Sequence, residues 1–196
     1  MGEIVPRWEW RTFGIEFGGV EEAIAGHGPA KVRASVETYI VSAAGSSNTK
    51  VRDGLMDIKR LQQVDQWGLE QWLPVMKAEF PLTPMVLVDV FRAWNVVRPK
   101  LTKAGYAFEE LVADLVRPNP SLAAVEVRKE RHGFTVDGCI VEIANLRFDG
   151  APVRTVAVEQ EDPAAVIATV RRLGLDRFEN VNYVKALKRF KKFADA

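Results

Sequence analysis

Charged residues recur at every second position in several short stretches of this sequence, and this spacing strongly constrains the fold. The clearest stretches are Arg7–Arg11, Lys50–Arg52, Asp57–Lys59, Glu126–Glu130 and Val158–Glu161. Because successive side chains of a β-strand point to opposite faces of a sheet, each stretch would place its ionic groups together on one face. Such a face either lies in water or lines a polar interior, and a polar interior would imply a ligand with many charges.

Length and composition predict one soluble domain. The chain has 196 residues, of which 47% are hydrophobic and 27% are charged, as in ordinary globular proteins. Its net charge of +1 argues against a nucleic-acid binder that works through bulk charge. No segment has the pattern of a signal peptide or of a membrane span. We therefore expect a cytoplasmic protein without membrane contact, in which residues 1–196 form a single domain.

Hairpin signals in both halves of the chain predict an antiparallel sheet. Strands are expected over residues 5–14, 35–42, 49–53, 55–61, 123–131, 134–137, 139–147 and 153–160. Residues 69–77 are ambiguous. Turns are expected at Gly133 and at the Asp-Gly pairs 53–54, 137–138 and 149–150. Helices are expected over residues 20–25, 84–97, 107–116, 163–173 and 180–193. This order predicts an α+β protein built on an antiparallel β-barrel of eight or nine strands, with flanking helices and a helical insertion at about 83–117.

The order of several motifs resembles that of the CYTH domains, the triphosphate tunnel metalloenzymes that include class IV adenylate cyclases and thiamine triphosphatases. That family opens with a strand of pattern Glu-x-Glu-x-Lys, and Arg7-x-Glu9-x-Arg11 stands in that place here. The other similar motifs are Thr38-Tyr39, Lys50-x-Arg52, Asp57-Ile58-Lys59, Arg128–Arg131, Glu159-x-Glu161, Leu173-Gly174-Leu175 and Asn182-Tyr183. The resemblance covers nearly the whole chain.

This resemblance implies an eight-stranded antiparallel β-barrel that forms a tunnel, in which cations bind a triphosphate and carboxylates bind Mg²⁺ or Mn²⁺. The cations expected to bind the triphosphate are Arg7, Arg11, Lys50, Arg52, Lys59 and Arg128. The expected metal ligands are Glu9, Glu142, Glu159 and Glu161. Catalytic roles are expected for Glu9, Arg11 and Lys59. Arginine offers phosphate a planar fork of donors, and carboxylates near an anion are reasonable if a hard metal ion lies between them.

Strand parity indicates which of these side chains point into the barrel. Glu142 is expected to point inward, because its apolar neighbours in sequence would pack outward, and Glu159 and Glu161 are placed inward as members of one alternating set. If Val125 and Val127 pack outward, Arg128 points inward. The same parity disfavours Lys129 and Arg131 as residues of the barrel interior.

The sequence departs from the family pattern at three positions. Arg7 replaces the first glutamate of the opening motif, Arg11 replaces its lysine, and Ala157 stands where one alignment expects a carboxylate. A cation at position 7 would weaken a neighbouring metal site by repulsion.

The expected function is that of a divalent-metal-dependent phosphohydrolase acting on inorganic triphosphate, a nucleoside triphosphate or thiamine triphosphate. Two alternatives stay open, a class IV type of adenylate cyclase and a non-catalytic protein that binds polyphosphate or a nucleotide. The resemblance also raises a homodimer as a candidate assembly.

Overall fold

Eight β-strands form one antiparallel sheet in the computed structural model, which describes residues 6–193. The strands are β1 (Trp8–Gly14), β2 (Lys31–Ser42), β3 (Asn48–Arg52), β4 (Leu55–Val64), β5 (Glu70–Glu79), β6 (Leu122–Val136), β7 (Cys139–Phe148) and β8 (Ala151–Gln160). Their order in the sheet is β1-β5-β4-β3-β2-β6-β7-β8, and β8 pairs with β1, so that the sheet closes in a ring. The predicted fold class is confirmed. Val5, the first residue of the predicted opening strand, lies outside the described residues.

Three tight turns follow from Asp-Gly pairs. Both residues have positive φ in each pair: 52° and 72° at Asp53-Gly54, 50° and 76° at Asp137-Gly138, and 47° and 90° at Asp149-Gly150. Two successive residues with positive φ are the requirement of the type I′ turn, whose twist matches that of the strands that it joins. The turns therefore set the register of β3 with β4, β6 with β7, and β7 with β8.

Helices flank the strands, and two of them begin at a polar cap followed by proline. They are α1 (Val20–Ala25), α2 (Pro84–Trp94), α3 (Phe108–Glu110, continued by the π-helical turn Leu111–Val116), α4 (Pro163–Arg172) and α5 (Tyr183–Phe190), with a 3₁₀ turn at Leu175–Arg177. Thr83 and Asp162 cap α2 and α4 by accepting hydrogen bonds from backbone N–H groups of the first turn. In the described residues, no helix is long and apolar enough to cross a membrane. Cytoplasmic location stays a prediction.

Three local predictions were wrong or incomplete. The expected turn at Gly133 does not occur, because β6 continues without a break from Leu122 to Val136. A glycine inside a strand is tolerated where no turn chemistry accompanies it, and here it follows His132 rather than an aspartate. The ambiguous segment 69–77 belongs to β5. The last helix is shorter than predicted and begins at Tyr183, so that residues 180–182 lie ahead of it and outside any helix.

The described residues fall into two compact units. The first comprises the described part of residues 1–35 together with 61–73 and 128–182. In its core, one face of β1, β7 and β8 packs against α4 through buried side chains that include Trp10, Val141, Val158, Val166 and Val170. Strand alternation turns Glu9 and Arg11 to the opposite face, away from α4.

The second unit comprises residues 36–60, 74–127 and the described part of 183–196. Its core joins one face of β2, β3 and β4 to α2 through buried side chains that include Ile40, Met56, Ile58, Leu87 and Phe91. Lys50, Arg52 and Lys59 alternate with such core residues and so lie on the face that is turned away from α2. The prediction of one domain over residues 1–196 stays a prediction.

Candidate functional site

The second unit carries a group of cations on one face of three neighbouring strands, here called the basic cluster: Lys50, Arg52 and Lys59, together with Glu37. Strand pairing sets their positions, because Lys50 lies between Tyr39 of β2 and Asp57 of β4, and Lys59 pairs with Asn48. Residues directly opposite each other in an antiparallel pair share a face. The cations that the sequence analysis selected on these strands are therefore brought to one face.

Glu37 anchors the basic cluster. Its carboxylate is fully buried, with 0% of the side chain exposed, and it accepts hydrogen bonds from Tyr39 Oη at 3.1 Å and from Arg52 Nη1 at 3.2 Å. Lys50 Nζ lies 3.8 Å from the same carboxylate. One buried acid thus orients two cations while leaving them partly exposed, at 22% for Lys50 and 42% for Arg52.

The pKa of Lys50 reflects both its burial and the charges around it. Burial lowers the pKa of Lys50 below its usual range, and the negative charges of Glu37 and Asp57 oppose this shift. Arg52 and Lys59 also lower the pKa by repulsion, so the three cations interact with one another. An anion bound at this face would relieve that repulsion.

The first unit carries the acidic cluster, which consists of Glu9, Arg11, Glu142 and Glu159. Two rows of the sheet bring these residues together. Arg11 of β1 pairs with Ala157 of β8, which pairs on its other side with Glu142 of β7. Glu9 pairs with Glu159 in the next row. The predicted inward orientation of Glu142 and Glu159 agrees with this placement, on the face turned away from α4.

The Arg11 guanidinium lies among the three carboxylates and is only 5% exposed. Nε donates to Glu9 Oε1 at 2.9 Å and Nη2 donates to Glu9 Oε2 at 3.3 Å, so this pair is bidentate. Nη1 lies 3.4 Å from Glu142 Oε1, and Nη2 lies 3.8 Å from Glu159 Oε1. The cation expected to bind a phosphate is therefore held by the carboxylates that were expected to bind a metal.

Burial and a neighbouring carboxylate act on Glu159. Burial, the negative charge of Glu9 and a hydrogen bond with Glu9 raise the pKa of Glu159 to about 7, against the opposing charge of Arg11. Glu159 therefore holds its proton more strongly than an exposed carboxyl does.

The backbone of Arg11 is fixed by the residues that precede α5. Arg11 N donates to Asn180 Oδ1 at 3.0 Å, and Val181 N donates to Arg11 O at 2.6 Å. Asn182 Nδ2 donates to both oxygens of the buried Glu70, at 2.8 and 2.9 Å. Glu70 pairs with Glu9 in the register of β1 and β5. Residues 180–182 therefore hold the strand that carries Arg11 and Glu9.

Three predicted site residues are exposed to solvent. Arg7 is exposed and precedes the first residue of β1, so it is not part of the paired strand that carries Glu9 and Arg11. Glu161 is exposed and follows the last residue of β8, directly before the cap of α4. Arg128 is exposed on β6.

The parity predicted for β6 was wrong. Val125 and Val127 are buried on the same face as Lys129, which is 7% exposed, whereas Arg128 is exposed on the other face. The prediction assumed that other apolar residues cover the face of Val125 and Val127. The charged Lys129 lies on that same face. Arg131, which parity disfavoured, reaches Glu142 with Nη1 at 3.9 Å, and its buried Nε has no hydrogen-bond partner.

The acidic cluster fits a divalent ion in its donor chemistry but not in its present geometry. Glu9, Glu142 and Glu159 offer only carboxylate oxygens, which Mg²⁺ and Mn²⁺ prefer. Within residues 6–193, however, no three acidic, histidine or cysteine side chains are placed to hold a metal ion. The Arg11 guanidinium occupies the space among these carboxylates.

Sequence reasoning missed Glu37 and Glu70. Glu37 shares strand parity with Tyr39, two residues away, and this alternation could have placed both on the face of Lys50. Glu70 lies in the segment that the sequence left ambiguous, so no parity could be assigned to it. Its pairing with Glu9 depends on the register of two strands that are distant in sequence.

The fold is similar to solved structures although the sequence is not. No protein-family model matches the chain, and no curated protein matches its sequence. HpAC1 from Hippeastrum, assigned as an adenylyl cyclase and described as having a dominant triphosphatase activity, gives a TM-score of 0.53 at 12% identity, over 96% of this chain and 97% of that chain. PH1012 from Pyrococcus horikoshii OT3 gives a TM-score of 0.49 at 16% identity, over 91% and 97% of the two chains. The chain therefore has the CYTH-like fold that the order of its motifs resembles.

Proposed function

We propose that this protein binds a triphosphate compound and hydrolyses its terminal phosphoanhydride bond with the help of Mg²⁺ or Mn²⁺. The observation that carries the proposal is the basic cluster, in which Lys50, Arg52 and Lys59 share one face of neighbouring strands. Three cations on one face favour a ligand with several negative charges, and phosphate oxygens accept from both lysine and arginine.

Each cation has a separate role in this proposal. Arg52 is the most exposed of the anchored pair and offers phosphate a planar fork, while Lys50 offers a compact charge. Glu37 holds both cations in place. Because its carboxylate is fully buried, it does not compete with a phosphate for the solvent-exposed side of these cations. These cations would stabilise the charge of the transferring phosphoryl group while water attacks the terminal phosphorus in line and the bridging oxygen departs.

The proposed metal ligands are Glu9, Glu142 and Glu159 of the acidic cluster. A bound Mg²⁺ or Mn²⁺ would supply Lewis-acid stabilisation of phosphate oxygens. The placement of these carboxylates on one face of β1, β8 and β7 supports this assignment. Glu161, Arg7 and Arg128, which are exposed, receive no role in the proposal.

The shared fold gives secondary support. The Hippeastrum protein is described as a triphosphatase, and its fold extends over 97% of its own chain in the comparison. At 12% identity this likeness concerns the fold alone, so the activity is proposed here from the two clusters.

A second candidate, a protein that binds a triphosphate without hydrolysing it, is favoured by one observation. Arg11 pairs with the carboxylates that hydrolysis would need for metal, and its bidentate bond to Glu9 is the shortest contact of the cluster. A protein that kept this pairing would hold its ligand through the basic cluster only.

The test is incubation of the purified protein with tripolyphosphate, ATP or thiamine triphosphate, each with Mg²⁺, Mn²⁺ or EDTA. Phosphate and pyrophosphate are assayed in the same samples, and thermal melting reports binding. The proposal expects metal-dependent release of phosphate that is lost in Glu9→Gln and in a Lys50→Gln/Arg52→Gln double variant. Arg92→Gln, which removes an exposed cation on α2, is the matched control and keeps the activity.

The outcomes separate the candidates. Release of pyrophosphate from ATP would assign cyclase chemistry instead. A thermal shift without either product would favour the binding protein. No shift and no product with any of the three compounds would overturn the proposal.

A further inference from the structure

Arg11 contacts three carboxylates of the acidic cluster, whereas a simple salt bridge joins a cation to one. Its guanidinium contacts Glu9 at 2.9 Å, Glu142 at 3.4 Å and Glu159 at 3.8 Å. It also lies 3.4 Å from Thr155 Oγ1. One side chain thus meets carboxylates from three neighbouring strands, which is the arrangement that a bound cation would have.

The sheet is built to accept the guanidinium at this point. Ala157 stands between Arg11 and Glu142 in the register, and its methyl side chain, which is 1% exposed, leaves space above β8. A carboxylate at position 157 would fill that space. The small side chain of Ala157 therefore makes room for the large side chain of Arg11, its direct partner in the sheet.

We propose that Arg11 is the resting counter-ion of the acidic cluster and that a divalent metal ion binds these carboxylates only when the guanidinium leaves them. Two cations cannot share the space among Glu9, Glu142 and Glu159 without strong repulsion. This inference rests on the proposed function for its metal ligands, but it concerns metal binding alone.

The contacts of Arg11 indicate which part moves. Its backbone is held on both sides, by Asn180 and by Val181 N at 2.6 Å, so departure involves the side chain and not the strand. The guanidinium lies 2.9 Å from Glu9, 3.4 Å from Glu142 and from Thr155, and 3.8 Å from Glu159. Rotation of the side chain breaks the bidentate pair with Glu9 and keeps β1 in place.

An anionic ligand would favour this departure. Phosphate oxygens match the fork of a guanidinium as carboxylates do, so a phosphate compound competes with Glu9 for Arg11. When Arg11 turns to the phosphate, the carboxylates become available to the metal. Binding of the phosphate compound and of the metal is then mutually favourable, because coupling between two ligands is reciprocal.

The experiment measures binding of Mn²⁺ alone, by electron paramagnetic resonance of the free ion and by calorimetry, without any phosphate compound. Wild type is compared with Arg11→Gln, with Arg11→Gln/Glu9→Gln and with the control Arg92→Gln. We expect Arg11→Gln to bind Mn²⁺ at least about tenfold more tightly than wild type, because a cation within contact distance of the metal has been removed. The double variant should lose this gain, and Arg92→Gln should behave as wild type.

Equal or weaker Mn²⁺ binding by a folded Arg11→Gln variant would overturn the inference, as would a gain that persists when Glu9 is also replaced. Circular dichroism and thermal melting establish folding. If Arg11→Gln does not fold, Arg11→Lys provides the second test, because its single ammonium cannot make the bidentate pair and should allow tighter Mn²⁺ binding than wild type.

The two proposals fail in different ways. Phosphate release by wild type with no gain of Mn²⁺ affinity in Arg11→Gln would refute the counter-ion role alone. A gain of Mn²⁺ affinity in a protein that neither binds nor hydrolyses triphosphates would refute the proposed function alone.

Discussion

Replacement of the buried carboxylate in the basic cluster is the most informative single perturbation of stability. Glu37→Gln keeps the size of the side chain and an acceptor for the Tyr39 hydroxyl, whose oxygen lies 3.1 Å from the carboxylate. It removes the negative charge that faces Lys50 at 3.8 Å and Arg52 at 3.2 Å. The two cations are then left facing each other without their shared partner.

The size of the effect follows from the exposure of the partners. Removal of one member of a fully buried ion pair costs roughly 3–5 kcal/mol, whereas an exposed pair contributes about 0.2–1 kcal/mol. Glu37 is fully buried, but Lys50 is 22% exposed and Arg52 is 42% exposed, so water compensates for part of the loss. We expect the free energy of unfolding to fall by about 2 kcal/mol, which corresponds to a melting temperature lower by roughly 4–8 °C for a chain of this size.

Urea unfolding at pH 7 measures this difference directly, with Asp89→Asn as the control. Asp89 pairs with Arg92 on the exposed surface of α2, so its loss should change stability by no more than about 0.5 kcal/mol. Tripolyphosphate should narrow the gap between wild type and Glu37→Gln, because the ligand takes over the neutralisation of the two cations. A Glu37→Gln variant as stable as the Asp89→Asn control would refute the anchoring role of Glu37.

Three further predictions concern individual contacts. Because the pKa of Glu159 is raised to about 7 from its ordinary value of 4.5, the folded protein keeps a proton that the unfolded chain has lost between these pH values. Wild type should therefore lose stability relative to Glu159→Gln as the pH rises from 4.5 to 7, and parallel urea midpoints across this range would contradict the assignment. Gly45→Ala would place a Cβ 2.5 Å from Trp94 O, so we expect a melting temperature lower by several degrees, and an unchanged value would refute this clash. Thr83→Ala removes the acceptor for Val86 N at the start of α2 and should cost about 1 kcal/mol of unfolding free energy, measured in urea; a loss below about 0.3 kcal/mol would show that the cap is inactive.

Local signals carried most of the fold prediction. The Asp-Gly turns at 53–54, 137–138 and 149–150 determined three hairpins, and a cap followed by proline located the starts of α2 and α4. These signals depend on the backbone preferences of a few neighbouring residues, so they can be identified without tertiary information. Gly133 shows the limit, because a single glycine without turn chemistry does not interrupt β6.

The face on which a side chain lies was predictable where the other face of the strand packs on a helix. The alternation of Lys50 and Arg52 with core residues assigned their face, and the same argument held for Glu142 and Glu159. It failed for β6, where the valines and Lys129 share a face and Arg128 is exposed. Parity tells which residues share a face but not which face a ligand meets.

The pairing of Arg11 with Glu9, Glu142 and Glu159 could not be read from the sequence. It depends on the register of β1 with β8 and of β8 with β7, and on the small side chain of Ala157 between them. The sequence indicated Ala157 and Arg11 only as separate departures from a family pattern. The structure shows that the two positions are directly paired.

The central claim is that this protein binds a triphosphate through the basic cluster, and calorimetric titration with tripolyphosphate tests it most directly. The account predicts that wild type binds tripolyphosphate and that affinity falls as salt is raised. It also predicts that the Lys50→Gln/Arg52→Gln double variant binds at least about tenfold more weakly, since two charge-assisted contacts are lost, while Arg92→Gln binds as wild type does. Absence of binding by wild type, with or without Mg²⁺ or Mn²⁺, or equal binding by the double variant, would contradict the account.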